Sequence, residues 1–116
     1  MKAYIPFFLS LVLLVSTQVF AHSDHTHPDL TEVQAISLAA DVAKQLSEKD
    51  VGLAIGKIPE SWASVPNDNI AIHIKGNGYY IIAVGNIIEK QTLYVLMSSG
   101  GDVYDANFSG EFKGLE

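Results

Sequence analysis

Three histidines, His22, His25 and His27, fall within the run His-Ser-Asp-His-Thr-His-Pro-Asp at residues 22–29. Imidazole nitrogens suit Cu(II), Zn(II) and Ni(II), and Asp24 and Asp29 offer oxygen ligands from the same stretch. The chain has no Cys, and Met97 is the only Met after the first residue, so the donor set disfavours a soft Cu(I) site. With His22 as the first residue of a processed chain, its α-amine and ring Nδ1 would close a chelate on one ion. A terminal amine titrates near ~7.7 and an imidazole near ~6.5, so both can act as neutral ligands around neutral pH. The terminal Cu(II)/Ni(II) chelate wants His at the third position, and His25 would be the fourth. The expected metal set is His22, His25 and His27, with Asp24 as an added oxygen donor, for Cu(II) or Zn(II). The alternative is a solubilising leader whose imidazoles bind metal adventitiously. Ordering the run costs ~1–2 kcal/mol per fixed backbone residue, which limits affinity unless the body adds a ligand.

Whether His22 carries a free amine depends on residues 1–21. Lys2 supplies a positive start, Ile5 to Val15 is almost wholly apolar, and Val19-Phe20-Ala21 has the residues a signal peptidase reads. Cleavage is expected after Ala21. The apolar run is shorter than the ~20 residues of a spanning helix, and Ser16, Thr17 and Gln18 stop its extension. The expected product is periplasmic or secreted, with no membrane attachment after cleavage, and a Gram-negative periplasm fits the length of the leader. Without Cys the exported chain has no disulfide and must rely on an apolar core.

The 116 residues are 48% hydrophobic and 17% charged, enough for one folded domain and against wholesale disorder. Thirteen acids against seven Lys and no Arg give a net charge of −6, which argues against a nucleic-acid surface and its basic patch. The division expected is a signal peptide at 1–21, a flexible His-rich arm at 22–29, one domain at 30–110 and a fraying tail at 111–116.

Order should begin at Leu30. Thr31-Glu32-Val33-Gln34 fits a capping box, and Leu30 with Ala35 can form a weak hydrophobic staple. Val33, Ile36, Ala40, Ala43 and Leu46 recur at helical steps, which predicts one amphipathic helix over 31–48. Pro59 can open a short helical turn, and Trp62 is expected to fill the edge of the core beneath the helix. Ile70, Ile72 and Ile74 then alternate with Ala71, His73 and Lys75, predicting a strand with the isoleucines on one face and an exposed His73 on the other. Lys75-Gly76-Asn77-Gly78 predicts a turn, Tyr79–Val84 a strand apolar on both faces, and Gly85-Asn86 a break. Thr92–Met97 and Asp102–Phe108 form a hairpin about Ser98-Ser99-Gly100-Gly101, with Val103 opposite Tyr104, Ala106 and Phe108. One helix followed by three or four strands on short turns implies an α+β fold with the helix on an antiparallel sheet.

The sequence has no Gly-x-Ser-x-Gly elbow, phosphate-binding Gly-rich loop, His-Glu-x-x-His helix or Cys nucleophile. Asp102 and Asp105 are expected on opposite faces, too far apart in direction for acid–base work. The chain is therefore read as non-enzymatic. Asn107-Phe108-Ser109 matches a glycosylation sequon.

An exported leader, a capped Ala-rich helix and antiparallel strands ending in an apolar hairpin resemble PepSY-like domains. Gln91-Thr92-Leu93-Tyr94-Val95-Leu96, the Ser-Gly-Gly turn and Tyr104-Asp105-Ala106-Asn107-Phe108-Ser109-Gly110 are more similar to an uncharacterised family of small exported proteins. In that family a Ser-Trp dipeptide, here Ser61-Trp62, precedes the hairpin, and mature chains start with a His-rich run. The turn departs from the Asp-Gly often found there. The resemblance implies inhibition or chaperoning of exported peptidases, or envelope regulation, and assigns no contact residue.

The strands carry apolar residues on both faces, and one helix covers one face. Either the Trp62 connector covers the second face, or an apolar patch or strand edge is left for a protein partner or for self-association. Two function classes follow: a metal-binding exported protein, and a protein-interaction module that needs no metal.

Overall fold

The computed structural model describes residues 28–115. One helix, α1 (Glu32–Glu48), is followed by short 3-10 turns at Glu60–Ser64 and Asn67–Asn69 and by four strands: β1 (Ile70–Lys75), β2 (Tyr79–Asn86), β3 (Gln91–Ser98) and β4 (Val103–Asn107). The strands form one antiparallel sheet in the order β1-β2-β3-β4. This is the expected α+β arrangement of helix upon antiparallel sheet.

Helix α1 starts as its sequence requires. The Gln34 N–H donates to Thr31 Oγ1 (3.1 Å) and the Thr31 N–H to Gln34 Oε1 (2.9 Å), closing the capping box. The buried stripe differs from the predicted one: Ala35, Ala39, Val42, Ala43 and Leu46 face the sheet, while Val33 is 73% exposed. Leu30 is anchored just before the helix. Its N–H donates to the Ser99 carbonyl (2.8 Å) and its carbonyl accepts from Tyr80 Oη (2.8 Å), so the chain enters the helix from a fixed point. Three Ala at four-residue spacing then let the helix backbone lie close to the sheet.

The core lies between α1 and the sheet face bearing Ile70, Ile82, Val84, Leu93, Val95, Met97 and Ala106, with Ile58 and Trp62 closing one side. Trp62 sits in the 3-10 turn after Pro59, packed under α1 as expected, with its ring 5.7 Å from that of Phe108.

Two irregularities correct the strand reading. Ile72 pairs with Ile82 but Ile74 pairs with Ile81, so β1 bulges at His73 and Ile74 passes to the face away from the helix. Met97 pairs with Val103 while Leu96 pairs with Asp105, so Tyr104 is the extra residue of a second bulge. Val103 therefore joins Ala106 on the helix side. Period-two alternation cannot anticipate an inserted residue, because one extra residue reverses every side chain beyond it.

The second face is covered only in part: Ile81 is buried, while Ile74 and Tyr104 remain 41% and 58% exposed. Phe112 is buried, and with Leu115 it packs beside Ile74, Tyr79 and Ile81 around a space of about 170 Å3. Gly110, at φ +77°, lies over the Tyr94 ring, where a Cβ would come within 3.2 Å. Within the tail expected at 111–116, Phe112 is thus seated on this face, while Glu111, Lys113, Gly114 and Leu115 are exposed. One aromatic residue between glycines gave no periodic signal.

Candidate functional site

His22, Asp24, His25 and His27, the expected metal set, lie outside the described residues, as does the expected signal peptide at 1–21. The described chain begins at Pro28 and Asp29, both exposed, and reaches its first fixed point at Leu30. The His-rich run therefore joins the body beside the β3–β4 turn, where Leu30 packs against Gly101 and bonds to Ser99 and Tyr80.

His73 is exposed, and its ring meets Tyr94 edge-on with centroids 5.0 Å apart. Tyr94 alternates with the buried Leu93 and Val95, so this pair lies on the face away from α1. Tyr80, which holds Leu30, points to the helix side. The structure thus puts His73 and the start of the body on opposite faces of the sheet. Among the described residues no group of three or more His, Asp or Glu could hold a metal ion.

The Asn107 side chain of the sequon is engaged. Its Nδ2 donates to the Glu111 carbonyl (2.8 Å) and its Oδ1 accepts the Gly110 N–H (2.8 Å), fixing the bend that turns residues 110–115 onto the sheet. Asp105 Oδ1 accepts the Ala106 N–H (2.8 Å), a local bond within the bulged strand.

A site with no counterpart in the sequence reading lies at the opposite end, at the β2–β3 turn. Asn86 is buried on the helix side of β2, and its Oδ1 accepts the N–H groups of Ile88 (3.0 Å) and Glu89 (3.2 Å). Its Nδ2 donates to Ser61 Oγ (3.0 Å), which donates in turn to Glu89 Oε2 (3.1 Å). This chain of bonds ties the turn to the 3-10 turn that carries Trp62. Lys90 ends the turn at φ +56°, the left-handed region that a Lys enters at a cost. Ile87 and Ile88 project from it, each 77% exposed.

Two open grooves flank the turn. One, of about 240 Å3, runs along Ser61, Val65, Pro66 and Asn69; the other, of about 430 Å3, runs along Asn69, Lys90, Gln91 and Thr92. Ser61 Oγ thus accepts from Asn86 and donates to Glu89, and these two bonds organise the turn. The signal in the sequence was the Asn beginning Asn-Ile-Ile-Glu, since an Asn side chain can cap N–H groups two and three residues on. The Trp62 Nε1 is buried and has no hydrogen-bond partner among the described residues.

The fold and these surfaces define a small α+β domain with an ordered body and chemistry-bearing histidines preceding it in sequence. A family model described as a family of unknown function, DUF6488, matches residues 1–111, and the chain belongs to that family. No curated protein and no solved structure matches the chain.

Proposed function

We propose that this protein is an exported, non-catalytic, PepSY-like domain that binds one divalent transition-metal ion, Cu(II) or Zn(II), through His22, His25 and His27, with Asp24 as an auxiliary ligand. The observation that carries the reading is the spacing of three imidazoles over residues that otherwise have nothing to pack, directly after a predicted cleavage point. Two further observations support it. The anchorage of Leu30 gives the run a rigid base, and the span matched by the family includes residues 22–27. Cleavage after Ala21 adds the His22 α-amine to the donor set and places the protein in the periplasm or outside the cell.

A second reading is a protein-interaction module of the peptidase-inhibitor, chaperone or envelope-regulator kind, with no metal requirement. The exposed Ile87–Ile88 pair on an ordered turn favours it.

Calorimetric titration with Cu(II) and with Zn(II) tests the first reading. His25→Ala/His27→Ala should weaken binding at least about tenfold. Equal affinities for the variant and the unaltered protein would remove it.

A further inference from the structure

We propose that Asn77-Gly78 is a self-modification site: the Gly78 backbone nitrogen attacks the Asn77 side-chain amide, and the isoaspartate that results loosens the point where Leu30 joins the body. Of the five Asn in the sequence, Asn77 alone precedes a Gly; the others precede Asp68, Ile70, Ile87 and Phe108. A glycine has no side chain to hinder the approach of its nitrogen to the preceding carboxamide. The fold adds room and exposure. Asn77 and Gly78 are the two central residues of the β1–β2 hairpin, both are exposed, and nothing lies within 4 Å of where a Cβ on Gly78 would stand.

The hydrogen bonds of the turn leave the reacting atoms unengaged. The Gly76 N–H donates to the Tyr79 carbonyl (2.9 Å), and the Gly78 carbonyl accepts the Ser99 N–H (2.9 Å). Neither bond uses the Asn77 amide or the Gly78 N–H. Asn86 and Asn107, by contrast, have both Oδ1 and Nδ2 held in bonds. Gly78 takes a φ of +86° while φ at Asn77 is not positive. The turn is therefore neither of the two primed forms that match the twist of paired strands, both of which need a positive φ at the first central residue.

The reaction balances with water as its one co-reactant. Loss of the Gly78 N–H proton to solvent lets that nitrogen bond to Asn77 Cγ. The Cγ–Nδ2 bond breaks, and the amide nitrogen takes a proton from solvent and leaves as ammonia, closing a succinimide ring. Water then opens the ring at Cγ to give aspartate, or at the main-chain carbonyl to give isoaspartate. In the second product the main chain runs through Asn77 Cβ and Cγ, one carbon longer just before Gly78. This displaces the Gly78 carbonyl from the Ser99 N–H, and the Ser99 carbonyl is the group that accepts the Leu30 N–H (2.8 Å). Metal plays no part in this chemistry.

Incubation of the folded chain, as the cell processes it, in warm and mildly alkaline buffer, followed by peptide mass mapping, tests the proposal. The expected result is a gain of one dalton at Asn77 with the other four Asn unchanged, and an Asn77 peptide that resists an endoprotease cutting before aspartate. Asn77→Gln should show no gain, because its carboxamide lies one carbon further from the Gly78 nitrogen. The purified isoaspartate fraction should exchange the Ser99 and Leu30 amide hydrogens faster than fresh protein, whereas Asn77→Asp, with the same charge on an ordinary main chain, should not. An Asn77 that stays intact while the same residue converts in the urea-unfolded chain would overturn the proposal, as would equal conversion at the other Asn. Isoaspartate with unchanged exchange at Ser99 and Leu30, or Asn77→Asp exchanging as fast as the isoaspartate fraction, would overturn the link to Leu30.

Discussion

Tyr80 donates its phenolic hydrogen to the carbonyl of Leu30, 2.8 Å away across fifty residues of sequence. This bond, with the Leu30 N–H on the Ser99 carbonyl, fixes the point at which the His-rich run meets the folded body. Tyr80→Phe keeps the ring in the core and deletes only the hydroxyl. It should cost about 1 kcal/mol and speed amide exchange at Leu30 more than in the sheet. Unchanged exchange at Leu30 would show that the bond does not hold the junction.

Asn86 satisfies two turn N–H groups and one hydroxyl from a buried position. Asn86→Ala should lower stability by about 2–3 kcal/mol in urea unfolding, while Ser61→Ala, which removes one bridging hydroxyl, should cost about 1 kcal/mol. The reverse order would mean that Ser61 is the organiser of the turn.

Phe112 is the apolar anchor of the segment that covers part of the second face. Phe112→Ala should cost ~1.5–3 kcal/mol and increase binding of a hydrophobic dye, as Ile81 and its neighbours are uncovered. If stability and dye binding both stay as they were, the cover contributes nothing.

Metal binding by imidazoles has a defined pH dependence. Protons compete for the same nitrogen lone pairs, so affinity should fall as pH drops below the ~6.5 of an ordinary imidazole and recover above it, with the fold intact. His73→Ala should leave affinity unchanged, because that ring lies against Tyr94 on the face away from α1. Titrations at pH 5 and pH 7.5 check both statements, and a pH-independent affinity would point to carboxylate ligands instead.

Much of the fold was legible because local chemistry and global packing agree. Thr31 and Gln34 specify the helix start, and Leu93, Val95 and Met97 specify a strand face by alternation alone, whereas the helical stripe was read about Val33, Ile36 and Ala40 in place of Ala35, Ala39 and Val42. The remainder depended on long-range facts. The bulges at His73 and Tyr104 are set by pairing with neighbouring strands, and period-two reasoning therefore put Ile74 and Val103 on the wrong faces. Phe112 is buried only because Asn107 bends the chain back onto Tyr94 and Ile81. The role of Asn86 depends on Ser61, which the 3-10 turn brings beside it from twenty-five residues away. Histidines 22, 25 and 27 remain a reading of sequence, because they precede the described residues.

Native mass spectrometry of the chain as the cell processes it, with and without one equivalent of Cu(II), addresses the metal proposal most directly, because one spectrum gives both the first residue and the stoichiometry. The expected species is His22–Glu116 carrying one metal ion, with the adduct lost from His25→Ala/His27→Ala. A chain that retains residues 1–21, one trimmed beyond His27, or one with a metal adduct indifferent to both substitutions would contradict the account.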